Sequence, residues 1–343
     1  MSCELVSTAT EVGVAEWAAL LPPDGLYVSR EWSAVTEGDR MAQTSYVLAR
    51  DSAQALVGLL PVHIMRYQLS PTYRPSTLLG PDVDKADAEN YAILGARSGF
   101  HNAVAVSPTL GPRARADVIR LLLRCALDVA TERGAPGVIW PYLAEDAVHA
   151  VSAAVSGARW LKGLPVAAVS VADGWDAHVA ALDPHRRRVT RQELRRFSQA
   201  GLAVRVSHEI NADWFGQLVS RHEAKYGGRV TPGGIAAMVR RMADSGIPNV
   251  YFVAEIGSEP VAATHAIATP GQLWTRLIGL DDDGLESAFN YFVLAFHAPM
   301  RWLAEHGGGT LHMGPYSLKA KTLRGAEVAG SAHLVLDDPG QVS

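Results

Sequence analysis

The sequence predicts an α/β protein in which one hairpin–helix–strand unit is used twice. Three observations predict it: two similar apolar hairpins far apart in the chain, an amphipathic helix after each, and a glycine stop followed by an apolar strand after each helix.

Residues 45–50 (SYVLAR) are rich in strand formers, and a short polar turn leads to 55–62 (ALVGLLPV). Residues 250–255 (VYFVAE) lead through Gly257-Ser258-Glu259 to 260–267 (PVAATHAI). Both read as hairpins of apolar strands. Val118, Leu121, Leu122, Cys125 and Val129 then fall on one face of a helix. Phe289, Phe292, Val293, Phe296, Met300 and Leu303 do the same, with Pro299 predicting a bend. The first helix closes on Glu132-Arg133-Gly134 before the strand-like 137–142 (GVIWPY). The second closes on Glu305-His306-Gly307 before 310–316 (TLHMGPY), which shares the Pro-Tyr ending. The boundary is expected between Ala153 and Asp183, where 164–171 (LPVAAVSV) is a strand. The halves are therefore placed at 1–165 and 166–343.

Composition bounds the class. A chain of 343 residues, 48% of them hydrophobic, suits two domains of about 150 residues that each bury a core. A net charge of −4 and pI ≈ 6.3 argue against indiscriminate binding to nucleic acid or membranes, and DNA is not an expected partner. Two cysteines are too few for a disulfide framework or a zinc site, and the twelve histidines show no HxxxH or HxH pair, so no metal is expected. The same cysteine usage, the absence of a basic, apolar leader at residues 1–10, and the lack of an apolar run near ~20 residues predict a soluble, cytoplasmic protein. Five lysines stand against 26 arginines, so a lysine cluster carries more information than an arginine cluster.

Residues 185–200 (HRRRVTRQELRRFSQA) are the densest charge run. As a helix, Val189, Leu194, Phe197 and Ala200 gather on one side, while Arg187, Arg188, Arg191 and Arg195 project from the other. Two readings fit: a phosphate-binding face for a coenzyme or a tRNA end, or a solvated surface. One acid, Glu193, offsets six arginines.

This helix, the segments 221–227 (RHEAKYG), 261–266 and 288–296 (AFNYFVLAF), and above all 312–325 (HMGPYSLKAKTLRG) resemble the FemAB-like branch of the GNAT acyltransferase superfamily. The resemblance covers residues 180–330 well. In the first half it rests on the hairpin and on 95–104. It implies two tandem GNAT-like domains, each a central mixed sheet flanked by helices, with the second catalytic and the first degenerate. It further implies central strands that splay apart to expose backbone groups to the acyl carbonyl.

Acyl transfer to an amine needs a polarised carbonyl, a deprotonated nucleophile and a proton for the leaving group. Tyr316, Lys319 and Lys321 put two of the five lysines beside a phenol. In this reading Tyr316 protonates the leaving group, Lys319 stabilises the oxyanion, and Lys321 joins Arg187, Arg191 and Arg195 in holding donor phosphates. His265, on a strand, is either a general base or a hydrogen-bonded core histidine. Glu223 is either a second base or an exposed charge beside Lys225. Trp274, Arg276, Lys225, Tyr226 and Asn290 are the expected substrate-binding residues. In ordinary coenzyme A-binding relatives a glycine-rich loop precedes the long helix, but here 279–287 reads GLDDDGLES, whose carboxylates would repel a pyrophosphate. Gly95–Gly99 with Arg97 is either a phosphate loop in the first half or a plain turn.

The expected function is amide (less readily ester) formation from a thioester of coenzyme A or a carrier protein to the amine of a small molecule or peptide. No tightly bound cofactor is expected. The alternatives are an aminoacyl-tRNA donor, and a non-catalytic GNAT-like module that binds small molecules.

Overall fold

The computed structural model describes residues 1–68, 70–81, 83–280 and 287–342. The triple-aspartate segment 281–283 lies outside the described residues. The chain divides into two compact units, Met1–Pro165 with Gly330–Ser343, and Val166–Ala329.

The first unit carries β1 (Ser2–Val6), β2 (Ala42–Arg50), β3 (Leu56–Met65), β4 (Ala92–Leu94), β5 (Ala105–Val106), the long helix α1 (Pro112–Glu132), β6 (Val138–Leu143) and β7 (Arg159–Lys162). The β2–β3 turn is set by Asp51, whose carboxylate accepts from the amides of Ala53 and Ala55, both at 2.9 Å. Pro112 starts α1 where no amide donor is needed, and Gly134 closes it at φ +79°. The apolar face of α1, from Val118 to Ala130, packs on Val47, Leu60, Val62 and Trp140 to form the core. Cys3 on β1 and Cys125 on α1 form a disulfide. The count of two cysteines therefore supplies one staple, and the reading of them as reduced thiols does not hold.

The second unit runs β8 (Val166–Ser170), a short helix at Trp175–Ala181, α2 (Pro184–Gln199), β9 (Leu202–Ser207), α3 (Ala212–Ala224), α4 (Pro232–Asp244), β10 (Asn249–Ile256), β11 (Glu259–Thr269), β12 (Gln272–Leu280), α5 (Ser287–Phe292), a π-helical turn at Val293–His297, α6 (Ala298–Glu305), β13 (Thr310–Gly314), α7 (Leu318–Thr322) and β14 (Glu327–Ala329). The expected bend at Pro299 takes the form of that wide turn. Pro299 has no amide for the carbonyl of Ala295, and the helix adapts by bonding the Ala298 amide to the Val293 carbonyl. Val293, Phe296, Met300 and Leu303 pack on Val250, Phe252, Leu273 and Leu311. The opposite face is covered by α3 and α4, with Phe215 against Tyr251 at 5.8 Å.

The last strand, β15 (Ala332–Leu336), returns to the first unit, so the expected second half, 166–343, is cut short at Ala329. Its reason is pairing: β15 lies between β6 and β7 and buries Leu334, Val335 and Leu336. Among the described residues the main strand orders are β1-β2-β3-β4-β6-β15-β7 and β9-β10-β11-β12-β13-β8-β14. The two orders match position by position. In each, the strand beside the parallel pair is the one that follows the other sheet's outer strand in sequence.

The parallel pairs themselves are short. Ala92 and Ile93 of β4 pair with Val138 and Ile139 of β6, while Gln272, Leu273 and Trp274 of β12 pair with Thr310, Leu311 and His312 of β13. Val138 and Trp140 face the helix core of the first unit as Leu311 and Met313 do in the second, so the Pro-Tyr echo of the sequence is out of step by one residue. Both turns pass through a positive φ, at Tyr142 (49°) and at Gly314 (71°).

Helix α3 approaches β12 closely at Gly279, where a Cβ would sit 2.6 Å from the Leu218 Cβ and 2.8 Å from the Val219 amide nitrogen. We expect Gly279→Ala to push α3 off the sheet and lower unfolding stability by about 1–3 kcal/mol. Chemical denaturation measures it, and an unchanged midpoint would contradict the packing described.

Candidate active site

Beyond Trp274 and His312, β12 and β13 part. Strand β12 continues along β11 to Leu280, with a bulge that inserts Arg276 between Thr275 (opposite Ala266) and Leu277 (opposite His265). Strand β13 turns at Gly314 and runs beside β8. The Thr275 hydroxyl donates to the His312 carbonyl at 3.0 Å, at the root of the opening.

The carbonyls of Met313 and Gly314 follow, where the pairing of β13 with β8 is irregular, and need donors. Lys321 provides them: its Nζ donates to Met313 at 2.5 Å and to Gly314 at 2.8 Å. The side chain is 5% exposed, and burial pushes its pKa down to about 8. An ammonium has three donors, so one N–H is left over once both carbonyls are served. Lys321 is therefore not the surface phosphate ligand expected from sequence.

Helix α7 is held by the next buried cation. Arg324 forms an ion pair with Glu193 of α2, and its guanidinium lies 3.7 Å from the Phe292 ring centroid. Glu193 also accepts from or pairs with His297 Nε2 at 2.7 Å. All three side chains are buried, and burial lowers the pKa of His297. The inward face of α2 is thus Thr190, Glu193 and Phe197, not the Val189–Ala200 stripe alone, because Arg324 draws the one acid inside.

At the mouth, Tyr291 of α5 is hydrogen-bonded to the Ser317 side chain and lies within the field of the Tyr226 phenol and of Arg324. Ser317, at φ 55°, caps α7 from the left-handed region. Tyr226 follows the C-terminus of α3, and its ring is 5.3 Å from His222. Glu223 is half-buried, and burial raises its carboxyl pKa. Tyr316, Lys319 and Lys225 are exposed.

No family model matches the chain, and no curated protein does. Solved structures do. FemX superposes with a TM-score of 0.65 at 11% identity, over 99% of this chain and 98% of that one. A tandem GNAT protein from the clavulanic acid biosynthesis pathway gives 0.56 at 13% identity, over 98% of both chains. L-PGS from Bacillus licheniformis gives 0.53 at 11%, over 90% and 87%. The fold is that of the FemAB-like tandem GNAT proteins.

Both GNAT-like units contain the opening, and they treat it differently. In the first, Asn102 fills it: its amide donates to Ala96 at 3.0 Å and Pro141 at 2.7 Å, and its oxygen accepts from the Ala96 amide at 2.6 Å. The Asn102 backbone donates to the Tyr142 carbonyl at 2.8 Å. Arg97, 2% exposed, pairs with Asp39 at 2.5 Å and donates to Thr36, so the 95–99 segment is a buried turn and not a phosphate loop.

Other sequence expectations are corrected by burial. His265 is 0% exposed, bonds Asn249 at 2.8 Å and has its pKa pushed down to about 3 by burial and Arg276, so the core reading stands and the general base does not. Trp274 is buried and stacked on His312 at 3.6 Å, leaving its face unavailable to substrate. Asn290 is 3% exposed. Arg187 donates to its own turn at Leu182, while Arg191 and Arg195 are exposed, so the four expected phosphate ligands do not converge. Arg276 stays at the bulge. Among the described residues no group of three His, Cys, Asp or Glu gathers as a metal site, and no helix is long and apolar enough to cross a membrane.

Sequence reasoning did not assign Glu193, His297, Arg324, Tyr291 or Ser317 to the site. Glu193 carried a signal, as the one acid among six arginines.

The Lys321 pKa gives a stability test. Between about 8 and the ordinary 10.5, the unfolded chain holds a proton that the native chain has lost. Stability must therefore rise with pH through that window. We expect denaturant unfolding to show wild type gaining on Lys321→Met from pH 8 to 10. A constant difference would contradict a buried lysine of low pKa.

Proposed function

We propose that the chain is an acyltransferase whose second unit forms an amide, less readily an ester, by passing an acyl group from a thioester to the amine of a small molecule or peptide. The observation that carries this reading is the opening between β12 and β13, kept by a buried lysine with a donor to spare, where the first unit's equivalent is filled by Asn102. The first unit is accordingly the degenerate one.

The acyl carbonyl enters the opening, and the third N–H of Lys321 donates to its oxygen as negative charge builds. An oxyanion-hole donor of this kind is worth about 10²–10³ in rate. Glu223, whose carboxyl pKa burial raises, takes the proton of the attacking amine. Tyr316 supplies a proton to the leaving thiolate, a modest demand because a thiol has a pKa near ~8.5. Lys319 and Arg276 guide the donor and acceptor, beside Lys225 and Tyr226. The chemistry proposed calls on no tightly bound cofactor.

The structural likeness to FemX supports a second reading, in which the donor is an aminoacyl-tRNA; the chemistry at Lys321 is the same. Lys321→Ala should lower turnover at least about 100-fold, with Tyr316→Phe and Lys319→Ala reducing it less. Turnover should survive ribonuclease. Unchanged rates in Lys321→Ala would sink the site, and loss on ribonuclease treatment would replace the thioester by RNA. Failure of every acyl donor, with saturable binding of amines, would leave a non-catalytic binding module.

A further inference from the structure

The exposed face of α2 is the strongest single-sign feature of the second unit that the chemistry above does not use. Of its six arginines, Arg186 is taken by Asp183 at 2.9 Å and by the Thr322 carbonyl at 3.2 Å, Arg187 by the Leu182 carbonyl at 3.0 Å, and Arg196 is engaged by a contact of its own. Arg188, Arg191 and Arg195 stand exposed at i, i+3 and i+7. They form a stripe about 10 Å long at 1.5 Å per residue. Arg188 lies 3.3 Å from the His185 ring nitrogen, a contact that leaves its charge in place. The helix's acid cannot neutralise the stripe, because Glu193 is turned inward and is 4% exposed.

The same inward turn connects the stripe to the reaction. Glu193 grips Arg324, and Arg186 bonds Thr322, so the inner face of α2 is bolted to α7, which carries Lys321. A partner on the outer face of α2 stands one helix away from the proposed chemistry.

We propose that this stripe docks an acidic, helical carrier protein that presents the acyl thioester on a flexible arm; this rests on the acyl-transfer reading. Acids spaced three and four residues apart on one partner helix match arginines at i, i+3 and i+7. The stripe is short, three arginines over about 10 Å. One acidic helix is matched along that length, whereas an extended RNA would find few phosphate contacts there. Docking of this kind speeds encounter and weakens with salt.

The test uses the Arg188→Glu/Arg191→Glu/Arg195→Glu variant of the full chain, with one acyl group offered on two donors. These are an acetylated acyl carrier protein and the acetyl thioester of pantetheine. We expect KM for the carrier-bound donor to rise at least tenfold with kcat retained, and kinetics with the pantetheine thioester to stay unchanged. Equal effects on both donors, or none, would overturn the docking surface. A binding arm needs no turnover: fluorescence anisotropy of labelled holo-carrier protein at 50 and 200 mM salt, with deacylated tRNA as competitor. Salt-sensitive binding lost in the variant supports the surface even if no thioester is turned over, which would count against the acyl-transfer reading alone. Absence of carrier binding at 50 mM salt, or displacement by tRNA together with tRNA binding lost in the variant, overturns the proposal.

Discussion

The second unit is organised around backbone carbonyls that a sheet would normally satisfy. Once β12 and β13 separate past Trp274 and His312, the carbonyls of Met313 and Gly314 need donors from elsewhere. Leaving a buried carbonyl unserved costs about 1–3 kcal/mol. Lys321 serves both from within the protein, at the expense of burying an amine whose pKa falls to about 8. The rest follows from keeping that amine in place. Helix α7 is capped at Ser317 in a left-handed conformation and anchored at its far end by Arg324. Arg324 in turn needs Glu193, and removing one partner of such a buried pair costs about 3–5 kcal/mol. His297 completes the carboxylate's contacts and sits at the end of the π turn that absorbs Pro299.

The fold was legible because it depends on local patterns. Hairpins, helix stripes and glycine stops read directly, and their repetition in order gave two similar halves. Two features escaped for the same reason, that pairing partners are not written locally. The Pro-Tyr echo at 141–142 and 315–316 is one residue out of step once Val138 and Trp140 are matched to Leu311 and Met313 by the face they present to the core. The return of β15 to the first sheet follows from pairing between residues nearly two hundred positions apart, such as Leu334 with Trp140.

The site was legible in part. Residues 312–325 stood out by lysine scarcity, and that stretch does contain Lys321 and Arg324. Their roles did not read correctly, because a lysine on a short segment looks solvent-exposed until the chain around it is folded. His265 shows the converse. Alternation on β11 placed it on a face, yet only tertiary packing against Tyr251 and Asn249 determines that the face is closed. Glu193 was visible as an isolated acid but its partner, Arg324, lies 131 residues away.

The two units set the same problem and solve it with different chemistry. In the first, Asn102 has an oxygen and an NH₂, so one side chain serves a donor and an acceptor of Ala96 and the carbonyl of Pro141 together. Both of its N–H groups and its oxygen are engaged in stitching the strands, and its backbone adds a further bond to Tyr142. An amide there closes the opening. In the second unit a lysine brings only donors. Lys321 satisfies the Met313 and Gly314 carbonyls and has one N–H more than they consume. A neutral residue could satisfy the same carbonyls at lower desolvation cost. The retention of a cation in so buried a place is intelligible if a transient negative charge forms beside it.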